Sequence, residues 1–198
     1  MATQYSEYDL IKNYIYLYHT DEYLILPCYP DQIADSMGST FASQNALSRT
    51  APVFSYSNSG PRQVQVQLTL HRDMLYQVNY GTSNATLELG EEYVDWLIRQ
   101  LQSIALPKYN DSNKEVVPPM VALRFGDDVF IKGVVNSGVS VEYHVPILQN
   151  KLDGSGAKYG LVTVSFTVFE VDPYDAESVA QLGSFRGLTR SMTEDFNQ

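Results

Sequence analysis

Apolar residues recur along this chain at two different steps. Across residues 90–106, GEEYVDWLIRQLQSIAL, the step is three to four. Tyr93, Val94, Trp96, Leu97, Ile98, Leu101 and Ile104 form one apolar stripe, which predicts an amphipathic helix at 91–105. Glu91 and Glu92 stand where the helix dipole favours negative charge, and Pro107 stops the helix. Nearly everywhere else the step is two. In RQVQVQLTLHR, residues 62–72, Val64, Val66, Leu68 and Leu70 point one way, and Gln63, Gln65, Gln67, Thr69 and His71 point the other. In YGLVTVSFTVFEV, residues 159–171, Val162, Val164, Phe166 and Val168 oppose Thr163, Ser165 and Thr167. Such alternation predicts strands with one buried face and one that meets water or a partner.

The remaining elements follow from β-prone runs and turn residues. Residues 11–18 and 22–28 predict a hairpin turning at His19-Thr20-Asp21. Residues 31–34 form a candidate helical turn, and the rest of the stretch to residue 50 reads as a long loop. Residues 52–57 predict a short strand, with a turn at Asn58-Ser59-Gly60-Pro61. Residues 73–80 read as a helical turn or a further strand, and 81–85 as loop. KYNDSNKE, after Pro107, reads as a polar loop. A three-stranded meander follows: 116–125, a turn at Gly126-Asp127-Asp128, 129–135, a turn at Asn136-Ser137-Gly138, and 139–148. A loop at 149–157 leads into the strand at 159–171, and 175–182 is a candidate short helix. The sum is a mainly β domain with one central helix, a β-sandwich or open barrel flanked by that helix. It spans residues 11–175, between an N-terminal arm at 1–10 and a C-terminal arm at 176–198.

Composition narrows the function classes. The 198 residues carry 23 acidic and 13 basic side chains, a net charge of −10, with no concentrated basic run. Such a surface repels nucleic-acid phosphates and anionic membranes. A single cysteine, Cys28, excludes an internal disulfide framework. The first residues lack the basic-then-apolar order of a secretory signal, and no apolar run approaches a membrane span. His19, His71 and His144 lack partners at metal-ligand spacing in the sequence. His71-Arg72-Asp73 lacks the downstream Asn of a kinase catalytic loop, since Val78 stands there. Gly126-Asp127-Asp128 is explained as a turn. No nucleophile elbow, phosphate loop or dinucleotide fingerprint is present. The expectation is a protein without enzymatic activity, cofactor or metal.

Three segments carry a resemblance. They are LILPCYPDQI (24–33), VPPMVALRFGDDVFIKGVV followed by VSVEYHVPILQN (117–150), and KYGLVTVSFTVFEVDPYD (158–175). In this order they resemble the tube-like domain of phage contractile-tail proteins that join the baseplate to the tail tube. That domain is shared by baseplate hub proteins and LysM-type tail proteins, and the likeness covers roughly residues 22–175. The stretch after it is too short for a LysM module, which favours a structural ring or adaptor over cell-wall binding.

The resemblance implies a tail-tube-like domain assembled as a hexameric ring whose sheets line the DNA channel. The implied partners are further copies of the chain, the tail tube, and baseplate hub or wedge proteins. DNA would be transiting cargo only, with no membrane contact. The implied location is the virion tail, after assembly in the host cytoplasm. Gln63, Gln65, Gln67 and Thr69 are then candidates for the lumen or a subunit contact, and Asp95, Arg99 and Gln102 for contacts at the helix edge. The other class the sequence admits is a β-sandwich module that binds glycan or peptide through its tyrosines.

Overall fold

A computed structural model describes residues 13–45, 50–75, 87, 91–110, 115–126, 128–149, 156–171 and 176. The expected terminal arms, the helix at 175–182 (save Ala176), and most of the loops at 81–85 and 149–157 lie outside these residues. The fold is mainly β with one helix of more than two turns, the open, helix-flanked form of the expectation.

A seven-stranded antiparallel sheet is built from β1 (Asn13–Leu17), β2 (Glu22–Ile25), β3 (Gln32–Ser36), β6 (Gln63–His71), β9 (Val121–Phe125), β10 (Val129–Gln149) and β11 (Ala157–Glu170). Their order across the sheet is β2-β1-β9-β10-β11-β6-β3. Two ribbons stand apart: β4 (Ser39–Gln44) with β5 (Val53–Ser59), and β7 (Lys108–Asn110) with β8 (Glu115–Val117). A single helical turn, α1 (Arg72–Leu75), follows β6, and α2 (Tyr93–Ser103) is the main helix.

The core sits on one face of the sheet. Register aligns Ile33, Val66, Phe166 and Val139 in one transverse row, and Leu24, Ile15, Leu123 and Ile131 in another. The α2 stripe of Tyr93, Val94, Trp96, Leu97, Ile98 and Leu101 joins the same buried cluster. Trp96 and Leu97 therefore seal the sheet face, because apolar area removed from water stabilises the packing. Glu92 occupies the N-cap position, and its carbonyl accepts the amides of Asp95 and Trp96.

The two strands with clean alternation behave as their pattern demands. Val64, Val66, Leu68 and Leu70 are fully buried, and so are Val162, Val164 and Val168. Phe166 is nearly so. The hairpin expected within 11–28 is present over residues 13–25, with Tyr16 opposite Tyr23 and a left-handed Asp21 in its turn.

Six expectations are corrected. Residues 31–34 are not helical, because β3 hydrogen-bonds there along the edge of β6. The expected long loop contains β4, paired with β5. Asn58 and Ser59 continue β5 instead of turning, and KYN of the polar loop belongs to β7. The largest correction concerns Asn136-Ser137-Gly138. Ser137 and Gly138 are left-handed, as a hairpin turn would require, but they form a bulge within one continuous strand, β10. Asn136 faces Thr167 and Val139 faces Phe166, so β11 closes the gap across two extra residues. The 116–125 strand is also interrupted, since β8 ends before Pro118 and Pro119 and β9 begins at Val121.

Gly133 marks the point where β10 leaves β9 behind. A Cβ there would lie 2.0 Å from the Phe169 carbonyl oxygen, so only glycine permits this strand approach. β9 pairs with β10 only over Val129–Gly133; beyond it, among the described residues, β10 pairs with β11 alone.

Candidate assembly interface

The face of the sheet opposite the core divides into two regions. Around β1 and β9 it is aromatic. Tyr14, Tyr16 and Ala122 are buried there, with Tyr18 and Phe130 packed against them. Tyr16 and Tyr23 rings lie 4.7 Å apart, and Lys132 Nζ sits 5.3 Å from the Tyr18 ring centre. The Tyr16 hydroxyl donates to Asp21. Burial, reinforced by that bond and by the Asp21 charge, pushes the Tyr16 hydroxyl up to about 12. These tyrosines pack on each other, with Tyr14 and Tyr16 buried and Tyr23 exposed.

Across β3, β6, β11 and β10 the same face is polar and open. Register places its side chains in transverse rows. One row runs Ala34, Gln65, Thr167, Asn136; the next runs Gln32, Gln67, Ser165, Ser140. A third aligns Thr69 with Thr163 and Glu142. The two polar stripes that the sequence gives separately, on residues 63–69 and 163–167, are therefore neighbours on one surface. Gln32, Ala34, Gln65, Asn136, Ser140 and Glu142 are exposed, and the others are half-buried by their strand neighbours. The first two rows carry no formal charge. The sequence misses the contribution of β3, because a short edge strand of small polar residues has no hydrophobic period to reveal it.

His71 and His144, distant in sequence, fall in one row with Leu161 between them. His144 Nε2 lies 3.7 Å from Glu142 Oε2. His19 is elsewhere and buried, and burial holds its imidazole below the usual range. Among the described residues no group of three or more His, Cys, Asp or Glu is gathered as a metal site, and no helix is long and apolar enough to cross a membrane.

The helix-edge candidates have different fates. Asp95 is committed within the chain. It accepts from Arg72 Nη2 at 2.7 Å and from Lys158 Nζ at 2.5 Å. Arg72 also donates to Glu92 at 2.7 Å and to the Tyr159 carbonyl at 2.8 Å. Burial alone would raise the Asp95 carboxyl, but the bonds from Arg72 and Lys158 prevail and hold it below its ordinary range. This cluster ties the start of α2 to the end of β6 and the start of β11. It also accounts for Arg72 in the kinase-like triplet as a structural residue. Arg99 pairs with Glu91 on the helix surface, and Gln102 is exposed.

Arg62, at the other end of β6, is buried as well. It grips Asp35, donates to the Phe130 carbonyl at 3.1 Å and lies 3.8 Å from Glu170. Each end of β6 is thus anchored by a buried arginine.

Comparison with protein-family models and with curated proteins finds no match to this chain.

One further surface is half legible in the sequence, which predicts the strand at 52–57 but reads the residues that pair with it as loop. The β4–β5 ribbon continues from β3 and β6 beyond the sheet, and Gly60 donates to the Gly38 carbonyl at 2.8 Å at its root. Every described residue of these two strands is exposed. Phe41 lies opposite Tyr56, their rings 5.6 Å apart, and Phe54 lies two residues along on the same face. The Phe54-Ser55-Tyr56-Ser57 alternation marks the predicted strand; Ser39–Gln44 has no such alternation and reads as loop.

Proposed function

We propose that the chain is a structural component of a phage contractile tail. In this reading it forms a hexameric ring, or an adaptor, at the junction of baseplate and tail tube, around the DNA channel. The observation that carries the reading is the polar surface shared by β3, β6, β11 and β10, two of whose rows carry no formal charge.

A channel wall must stay wet and must not hold the passing genome. Duplex DNA carries one charge per about 1.7 Å of axis, so lysine or arginine on the wall would retain it through counterion release. Gln65, Gln67, Thr163, Ser165 and Thr167 hydrate the wall without supplying that attraction. The net charge of −10 adds repulsion from the rest of the subunit.

Sheet topology supports ring formation. The sheet is open, with β2 and β3 at its edges, and six antiparallel steps between them leave these two strands pointing the same way. A head-to-tail neighbour presents its β2 edge to this β3 in parallel orientation, which extends the sheet around an axis.

Sedimentation velocity on the purified chain tests the reading. The expected species is a hexamer, in slow or fast exchange with monomer. A chain that stays monomeric at every concentration overturns it.

A further inference from the structure

We infer that the turn of the β1–β2 hairpin is an acid-sensitive latch, in which protonation of His19 releases the turn end of the edge strand β2. In the proposed ring that release loosens the subunit contact made through β2, and this second step rests on the ring reading.

β2 is held lightly at its turn end. It has four residues, lies at the edge of the sheet, and among the described residues pairs with β1 alone. Its far end is fastened by Asn13, whose Nδ2 donates to the Cys28 carbonyl at 2.8 Å and whose carbonyl accepts the Leu26 amide at 3.0 Å. The turn end relies on Asp21 and on the packing of His19. Asp21 donates its amide to the Leu17 carbonyl and accepts the Tyr16 hydroxyl. It does so at a φ of 58°, a left-handed conformation that costs a residue with a side chain.

His19 is 8% exposed, and its Nδ1 has no hydrogen-bond partner among the described residues. The Oγ1 of Thr20, the next side chain, is buried without one as well. A neutral imidazole tolerates this site, since Nδ1 is then an acceptor that lacks a donor. Protonation makes both ring nitrogens donors. It would put an unpaired N–H and a charge out of water, which costs far more. Two charged groups act on the ring from the neighbouring strands, both on exposed side chains. Lys108 of β7 opposes protonation, and Glu22 of β2 favours it. Asp21, on the turn itself, is engaged by Tyr16. A protonated ring is therefore relieved by moving outward to water and Glu22, which takes it out of the closed turn.

Burial, seconded by Lys108, holds the imidazole of the closed turn below its ordinary value of 6.5, and the pull of Glu22 is outweighed. Above 6.5 the open and closed turns are both neutral and the latch is shut. As pH falls through that value, the open turn takes up a proton that the closed turn refuses. Opening then gains up to about tenfold per pH unit, until the depressed value of the closed turn is reached. His71 and His144 lie on β6 and β10, so substitution at position 19 isolates the latch from them.

The test is amide hydrogen exchange on the full chain at about pH 7.5 and about pH 5.5, normalised to the intrinsic rate at each pH. The amides of Asp21 and β2 are expected to lose about tenfold in protection at the lower pH, while those of Val64 to Leu70 keep theirs. His19→Gln is expected to abolish the loss, and Lys108→Gln, at an exposed position, to shrink it. Protection that does not fall in the wild type, or falls equally in His19→Gln, overturns the latch whatever the state of assembly. Sedimentation velocity at the same two pH values reads the second step. Rings that dissociate at the lower pH in the wild type but not in His19→Gln support the coupling. Rings that persist although protection is lost overturn the coupling to the subunit contact. A monomer at both pH values with the exchange response intact overturns the ring reading and leaves the latch standing.

Discussion

Arg62 holds Asp35 through both carboxylate oxygens. Its Nε lies 3.0 Å from each, and its Nη2 lies 2.6 Å from Oδ2. The Arg62 side chain is fully buried, while Asp35 is partly open to solvent. The pair fastens the edge strand β3 to β6 at the root of the β4–β5 ribbon. Removing the arginine takes away the cation 3.8 Å from the buried Glu170. Arg62→Ala is therefore expected to cost about 3 kcal/mol in denaturant unfolding. Asp35→Asn keeps hydrogen bonding and is expected to cost about 1 kcal/mol.

The Asp95 cluster makes an acid-side prediction. Its carboxyl is held low in the folded chain, so its stabilisation is present above the ordinary carboxylate value of 3.8. That stabilisation is lost as pH falls through the depressed folded value. Asp95→Asn is expected to lower the melting temperature by a constant amount from pH 7 to about pH 5. Below the ordinary carboxylate range the gap to wild type should narrow. A gap that widens on acidification contradicts the role given to Arg72 and Lys158.

Strand facing is tested by charge insertion. Val64→Asp and Phe166→Asp place a carboxylate among fully or nearly fully buried side chains and are expected to abolish folding, read by loss of cooperative thermal unfolding. Gln65→Glu, on the open face, should melt within a few degrees of wild type. Leu97→Ala, at the centre of the helix stripe, is expected to cost about 3 kcal/mol. Equal damage from all four contradicts the assigned faces.

The neutral wall predicts a gain of unwanted binding. Gln65→Lys with Gln67→Lys is expected to leave the fold intact and to make assembled rings retain duplex DNA at low salt. The retention should fade steeply as salt rises. Unchanged DNA retention in folded, assembled double-lysine rings argues against a lumen position for these residues.

How far the sequence reveals this fold depends on burial. Val64 to Leu70 and Val162 to Val168 alternate because one face is dry, and α2 repeats because one stripe is dry. Both patterns survive in the sequence as period. β3, β4 and β5 are exposed on nearly every residue, so nothing in burial selects their side chains. Only hydrogen bonding to a neighbour makes them strands. The bulge at Ser137 and Gly138 was hidden for a different reason. Left-handed residues serve a hairpin turn and a bulge equally well, and only the length of β11 decides between them. For the candidate interface, Gln63, Gln65, Gln67 and Thr69 were legible as a polar face. Their adjacency to Thr163, Ser165 and Thr167 was not, because strand order is a tertiary fact. Asp95, a candidate for helix-edge contact in the sequence, is paired within the chain with Arg72 and Lys158, which lie 23 and 63 residues away.

The central claim is that the polar face of β3, β6, β11 and β10, with its two uncharged rows, lines a channel. Electron microscopy of the assembled ring, or of the tail end that contains it, with this chain traced, tests it most directly. The account predicts sixfold symmetry with Gln65, Gln67, Ser165 and Thr167 facing the central channel and α2 on the outer side. A ring with α2 facing the channel, or an assembly with no channel at all, would contradict it.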